Sequence, residues 1–157
     1  MNWDEFFYEM LLTIRKKSKD PSTQVACVIV GDDNEVRSLG FNGFPRGVED
    51  DPEKVPERYE RPEKYVWFEH GERNAIYNAA RMGTPLNGCR LYVTGYPCTD
   101  CARAIIKVGI KEVIIGDLDS PGFLERWKDQ IERSTTMFEE SGIKVRLYKN
   151  GKENEQI

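Results

Sequence analysis

Residues 70–116 read HGERNAIYNAARMGTPLNGCRLYVTGYPCTDCARAIIKVGIKEVIIG. Two β-rich runs, 90–94 and 113–116, alternate here with stretches patterned for helix, one closing at Arg81 before Gly83 and one beginning after Pro97. Strands that recur with helices between them predict parallel neighbours joined by crossovers, and therefore an α/β fold. Upstream, Phe6, Phe7, Met10, Leu11 and Ile14 fall at helical spacing over 3–15, and the turn at 18–22 ends that helix. Residues 25–30 and 36–41 are short apolar runs on either side of Gly31-Asp32-Asp33-Asn34, which predicts an antiparallel hairpin. Downstream, 144–148 supplies a fifth strand after another helical stretch. The order α, β, β, α, β, α, β, α, β predicts a three-layer α/β/α sandwich with a five-stranded mixed sheet. It carries a hairpin at one side and helices on both faces.

A chain of 157 residues suits a single domain. Residues 1–149 are read as that domain and 150–157 as a polar tail. The stretch 46–68, dense in Pro, Glu, Lys and Arg, exceeds the usual connection length and reads as a flap near the site. A net charge of -4 lacks the basic footprint of a polynucleotide-binding protein, so a small phosphorylated substrate fits better. No run approaches the roughly 20 apolar residues of a membrane span, and the acidic, aromatic start is unlike a signal peptide, so a cytoplasmic location is expected. In a reducing compartment the close pair Cys98 and Cys101 is a metal or redox site before it is a disulfide. Cys27 and Cys89 lie in or beside apolar strands and read as core.

His70-Gly71-Glu72, followed after a strand by Pro97-Cys98-Thr99-Asp100-Cys101, matches the H-x-E and P-C-x-x-C signature of zinc deaminases. Two thiolates and an imidazole satisfy Zn²⁺ and leave a fourth tetrahedral position for water, the arrangement of a catalytic site, one ion per subunit. Cys98 and Cys101, three apart where a helix begins, can both face one metal, and the helix N-terminus favours their ionised form. The division of labour follows. His70, Cys98 and Cys101 hold zinc, and Glu72 takes the proton of the activated water to the ring nitrogen and then to the leaving amine. A C-x-x-C alone would as readily be a redox pair or a structural zinc knuckle, but a structural site has no use for Glu72.

Over 3–148 the chain resembles the deoxycytidylate deaminase family. Ser18-Lys19-Asp20-Pro21-Ser22-Thr23-Gln24-Val25 is similar to that family's first loop and strand. Gly40-Phe41-Asn42-Gly43-Phe44-Pro45-Arg46-Gly47 resembles its G-Y-N-G-x-P-x-G motif. Residues 69–76 and 98–106 resemble its two zinc segments. The resemblance implies conversion of deoxycytidylate (dCMP) to deoxyuridylate (dUMP) with release of ammonia. It implies that Asn42 contacts the sugar, that backbone near Gly71 holds the pyrimidine carbonyl, that Pro97 is a substrate contact, and that Lys19 and Arg46 serve the phosphate. It further implies a homo-oligomer, hexamer or dimer, activated by deoxycytidine triphosphate and inhibited by thymidine triphosphate with Mg²⁺, Arg81 matching a position linked to that regulation. The plain reading of Arg81 is a helix-terminal cation favoured by the dipole.

Two positions depart from the family pattern. Gly71 stands where Ala is usual, and Gly95 where a larger side chain is common. Both are expected to enlarge the base pocket, which opens a second reading: a 5-substituted deoxycytidylate, or a purine nucleotide. Deamination of a free nucleoside or an RNA base stays open, as does an inactive nucleotide-binding regulator.

Overall fold

The computed structural model describes residues 1–116 and 122–149, and the backbone of 152–156. In chain order the elements are α1 (Trp3–Ile14), β1 (Ala26–Val30), β2 (Val36–Phe41), α2 (Lys64–Trp67), α3 (Gly71–Met82) and β3 (Arg90–Val93). They continue with α4 (Thr99–Lys107), β4 (Glu112–Gly116), α5 (Phe123–Arg126), α6 (Lys128–Ser141), β5 (Lys144–Lys149) and β6 (Lys152–Gln156). Among the described residues the sheet runs β2-β1-β3-β4-β5-β6. β1 is antiparallel to both β2 and β3, whereas β3, β4 and β5 are parallel.

The predicted five-stranded mixed sheet is therefore present, and β6 extends it antiparallel to β5. That sixth strand falls in the segment read as a polar tail. An edge strand is held by backbone hydrogen bonds, so it needs no apolar alternation and leaves little trace in the sequence. Asn150, Gly151 and Ile157 of that tail lie outside the described residues.

The central strand β1 is buried on both faces, which is why it is apolar throughout. Ala26, Val28 and Val30 of β1 share a core with Tyr92, Ile114 and the α1 residues Phe7 and Leu11. Asn2 caps α1 by accepting from the Glu5 amide at 2.8 Å, and Arg146 of β5 holds Asp4 at 2.7 Å. On the other face Cys27, Ile29, Leu91, Val93, Val113 and Ile115 meet Ala75, Ala79, Ala102, Ile105 and Phe138 of α3, α4 and α6. Cys27 and Cys89 are both core residues, as expected. Each large side chain buried in these layers contributes about 1.5–3 kcal/mol.

Small residues bring α3 close to the sheet. A Cβ on Gly40 of β2 would stand 2.4 Å from the Ala75 amide nitrogen and 2.6 Å from the Gly71 carbonyl oxygen. Only glycine permits that approach, and it fixes where the N-terminus of α3 meets the carboxyl end of β2. Among the described residues no helix is long and apolar enough to cross a membrane.

Candidate active site

Two helix starts converge at one end of the sheet. His70 is the N-cap of α3 and Cys98 the N-cap of α4, both with extended backbone. Residues at and just inside a helix start point their side chains away from the helix body, and here both starts point at the same place. His70 Nδ1 lies 3.3 Å from Cys98 Sγ and 3.4 Å from Cys101 Sγ. All three donor atoms fall within 4.8 Å of one another. Nitrogen and sulfur ligands of a tetrahedral zinc stand roughly 3.5 Å apart, from bond lengths of about 2.0 and 2.3 Å. Donor set and spacing both fit Zn²⁺.

The electrostatics suit a thiolate site. The hydrogen bond from Cys101 draws the Cys98 thiol down to about 4; burial opposes this and His70 assists. The same contact, with burial and the neighbouring Glu72, pushes Cys101 up. A cation replacing that shared proton would let both sulfurs ionise. The bridge from Arg73 Nη1 of α3 to Asp100 Oδ2 of α4, 3.3 Å long, joins the two first turns, and Arg73 also holds Glu69.

Glu72, two residues beyond His70, is 4% exposed. Burial pushes its carboxyl above the ordinary range, against the attraction of His70. It faces a cavity shared with His70 and Cys98. Asp20, Thr23 and Val25 of the first loop, Asn42 after β2, and Gly95 and Tyr96 after β3 also line it. Arg61, Lys64, Tyr65 and Phe68 from 46–68 line it too, with Phe123, Arg126 and Trp127 from the α5–α6 junction. The stretch read as a flap thus borders the site. The Trp127 ring stands edge-on to His70 at 6.3 Å and to Tyr65 at 6.0 Å.

The cytidine and deoxycytidylate deaminase zinc-binding region is matched by residues 1–117. The chain belongs to that family of deaminases. It is 41% identical over 143 residues, 91% of each chain, to a protein of Aliivibrio fischeri described as an uncharacterized deaminase in the luxG 3' region. It is 33% identical over 152 residues to the deoxycytidylate deaminase of Pongo abelii, covering 94% of this chain and 80% of that relative. The crystal structure of dCMP deaminase from the cyanophage S-TIM5, in complex with dCMP and dUMP, superposes with a TM-score of 0.72. That match covers 92% of this chain and 96% of the other at 19% identity, and shows a shared fold.

The deaminase structure brings some of the expected residues together and separates others. Asn42 lines the cavity, but its amide also binds the first loop: Oδ1 accepts from the Val25 amide at 2.8 Å and Nδ2 donates to the Thr23 carbonyl at 2.8 Å. Pro97 is buried ahead of Cys98 and does not line the cavity. Lys19 and Arg46 border a neighbouring groove; Lys19 pairs with Asp50 at 2.8 Å and Arg46 donates to Asn78 Oδ1 at 2.7 Å. Arg81 is exposed on the last turn of α3, away from the cavity.

Gly71 corrects an expectation. A Cβ there would stand 3.2 Å from Val25 Cγ1 and 3.5 Å from Phe41 Cα, facing packed protein, so its absence does not enlarge the cavity. Gly95 does line it. The cavity cations Arg61, Lys64 and Arg126, and the aromatic Trp127, went unread in the sequence. Their segments are brought over the site only by the tertiary fold; the density of charge and aromatics in 46–68 was the one available signal.

Proposed function

We propose that this deaminase hydrolyses deoxycytidylate to deoxyuridylate and ammonia. The observation that carries the proposal is a buried carboxylate, Glu72, beside a His70, Cys98 and Cys101 cluster, with Glu72, His70 and Cys98 lining a cavity that Arg61 and Arg126 also line. His70, Cys98 and Cys101 would hold Zn²⁺, which when bound supplies Lewis-acid activation of a water nucleophile. Glu72 accepts a proton from that water and passes it to the ring nitrogen N3 as the oxygen adds to C4; it then takes the proton of the new C4 hydroxyl and delivers it to the 4-amino group, so that the C4–N bond breaks, the C4 carbonyl forms and ammonia leaves. Its raised carboxyl suits both halves of that transfer, since a proton carrier works best near the operating pH.

The other side chains bind and orient. Asn42, locked by the first loop, keeps one amide N–H for a sugar hydroxyl. The Gly71 N–H at the start of α3 has no acceptor within the helix, which favours it as the donor to the pyrimidine carbonyl. For the 5'-phosphate, Arg61 and Arg126 are favoured over Lys19 and Arg46 because they line the same cavity as Glu72, whereas Lys19 and Arg46 border the neighbouring groove. The deoxycytidylate deaminases among the relatives support this substrate. Ammonia release across cytidine, deoxycytidine, their mono- and triphosphates and 5-substituted deoxycytidylates tests it. Turnover concentrated on deoxycytidylate is expected, and turnover only on an unphosphorylated compound would contradict it.

Gly95 in the cavity wall favours a second reading, a 5-substituted deoxycytidylate, and the same panel separates the two. Regulation by deoxycytidine and thymidine triphosphates with Mg²⁺, in a homo-oligomer, rests on the resemblance and on Arg81. Sigmoidal kinetics made hyperbolic by the activating triphosphate are its test.

A further inference from the structure

Lys64 is buried although it is a lysine, being 5% exposed, and Asp20 is 4% exposed. The ammonium lies 2.9 Å from Asp20 Oδ2, 3.2 Å from Asp20 Oδ1 and 2.9 Å from Ser22 Oγ. Asp20 in turn accepts from the Ser22 amide at 2.9 Å, the Ser22 hydroxyl at 3.0 Å and the Thr23 amide at 3.2 Å. A charge is desolvated at this depth only when paired and hydrogen-bonded, and this pair meets that condition. With its donors directed at the first loop, Lys64 has little to offer a ligand, although it stands in the cavity wall.

What the pair joins is specific. Lys64 begins α2, inside the stretch 46–68, while Asp20 and Ser22 belong to the loop whose far end Asn42 clamps to β2. The stretch has its own small core, Phe44 against Tyr59 and Phe68, with Arg58 over the Trp67 ring at 3.8 Å. A second link, Lys19 to Asp50, is half-exposed and so of little strength. Arg61 reaches Ser22 Oγ at 3.4 Å, a marginal hydrogen bond.

We propose that Lys64 is a positioning residue: by pairing with Asp20 and Ser22 it fastens the flap to the first loop and sets the cavity wall formed by Tyr65 and Phe68. Substrate affinity then depends on an ion pair that need touch no substrate atom. The proposal rests on the deoxycytidylate reading only for its kinetic readout.

The test compares Lys64→Met with the double variant Asp20→Asn/Lys64→Met, which removes both charges and leaves no carboxylate unpaired. If the single variant fails to fold, the double variant carries the test. In it, KM for deoxycytidylate should rise about tenfold with kcat within about twofold of wild type and zinc content unchanged. Trypsin should cut after Arg46, Lys54 and Arg58 about tenfold faster. A double variant with wild-type KM or wild-type cleavage overturns the proposal, whatever its melting temperature. If the wild-type enzyme does not turn over deoxycytidylate, cleavage alone decides: a faster cut keeps the fastening and only the substrate reading falls.

Discussion

His70 Nδ1 lies 3.3 Å from Cys98 Sγ, although 28 residues separate them, because each caps a helix that starts at the same end of the sheet. Cys101, one turn into α4, completes the set at 3.4 Å from the same nitrogen. Three donor atoms from two helix starts need little rearrangement to receive a metal.

Removing one ligand should therefore remove the metal. Cys98→Ser, Cys101→Ser and His70→Ala are each expected to purify with well under one zinc per chain. Their turnover should fall by at least about 10³-fold, since the nucleophile loses its activation. Elemental analysis beside an ammonia assay measures both. Full turnover at vanishing zinc content would refute the assignment.

The cavity wall assigns different roles to the two glycines. Gly95→Ala is expected to lower kcat/KM for 5-methyl deoxycytidylate more than for deoxycytidylate, because Gly95 is part of the cavity lining. Gly71→Ala should leave that ratio unchanged, its Cβ meeting Val25, with stability within about 1 kcal/mol of wild type. The two ratios, measured side by side, check the correction directly; a shift at Gly71 alone would reverse it.

Phosphate recognition separates the cavity cations from the groove cations. Arg61→Gln and Arg126→Gln should each raise KM for deoxycytidylate by about tenfold, the loss of one charge-assisted contact, and barely affect deoxycytidine. Lys19→Gln and Arg46→Gln, bordering the other groove, should change neither. The reverse pattern would restore the assignment suggested by the resemblance.

Those differences mark how far the sequence could be read. The His70, Cys98 and Cys101 group and its neighbour Glu72 were legible because their residue types and spacing serve one chemistry, and the strands because β1 and β4 are apolar runs between turns. Lys64, Arg61 and Trp127 were not. Nothing local distinguishes a lysine that will be buried from a solvated one, and Asp20, its partner, lies 44 residues away. Gly71 misled because a missing Cβ says nothing of the direction it would have taken.

Acid should act partly through Asp20. Burial raises its carboxyl, but the Ser22 amide and Lys64 more than offset that and hold it below its ordinary 3.8. A carboxylate depressed in the folded state stabilises above its unfolded value, and that contribution is lost as pH falls through the folded value. Asp20→Asn should therefore lower the melting temperature at neutral pH and lose less further stability between about pH 4 and about pH 2 than wild type does. Parallel melting curves over that range would show that Asp20 is not depressed.

The account depends most on Glu72 as proton carrier beside the metal. The decisive measurement is the rate of ammonia release from deoxycytidylate by zinc-loaded Glu72→Gln, with metal content and melting temperature recorded on the same sample. Retained zinc, a retained fold and a kcat lowered by about 10²–10⁴-fold are predicted. Wild-type turnover in that variant would contradict the account.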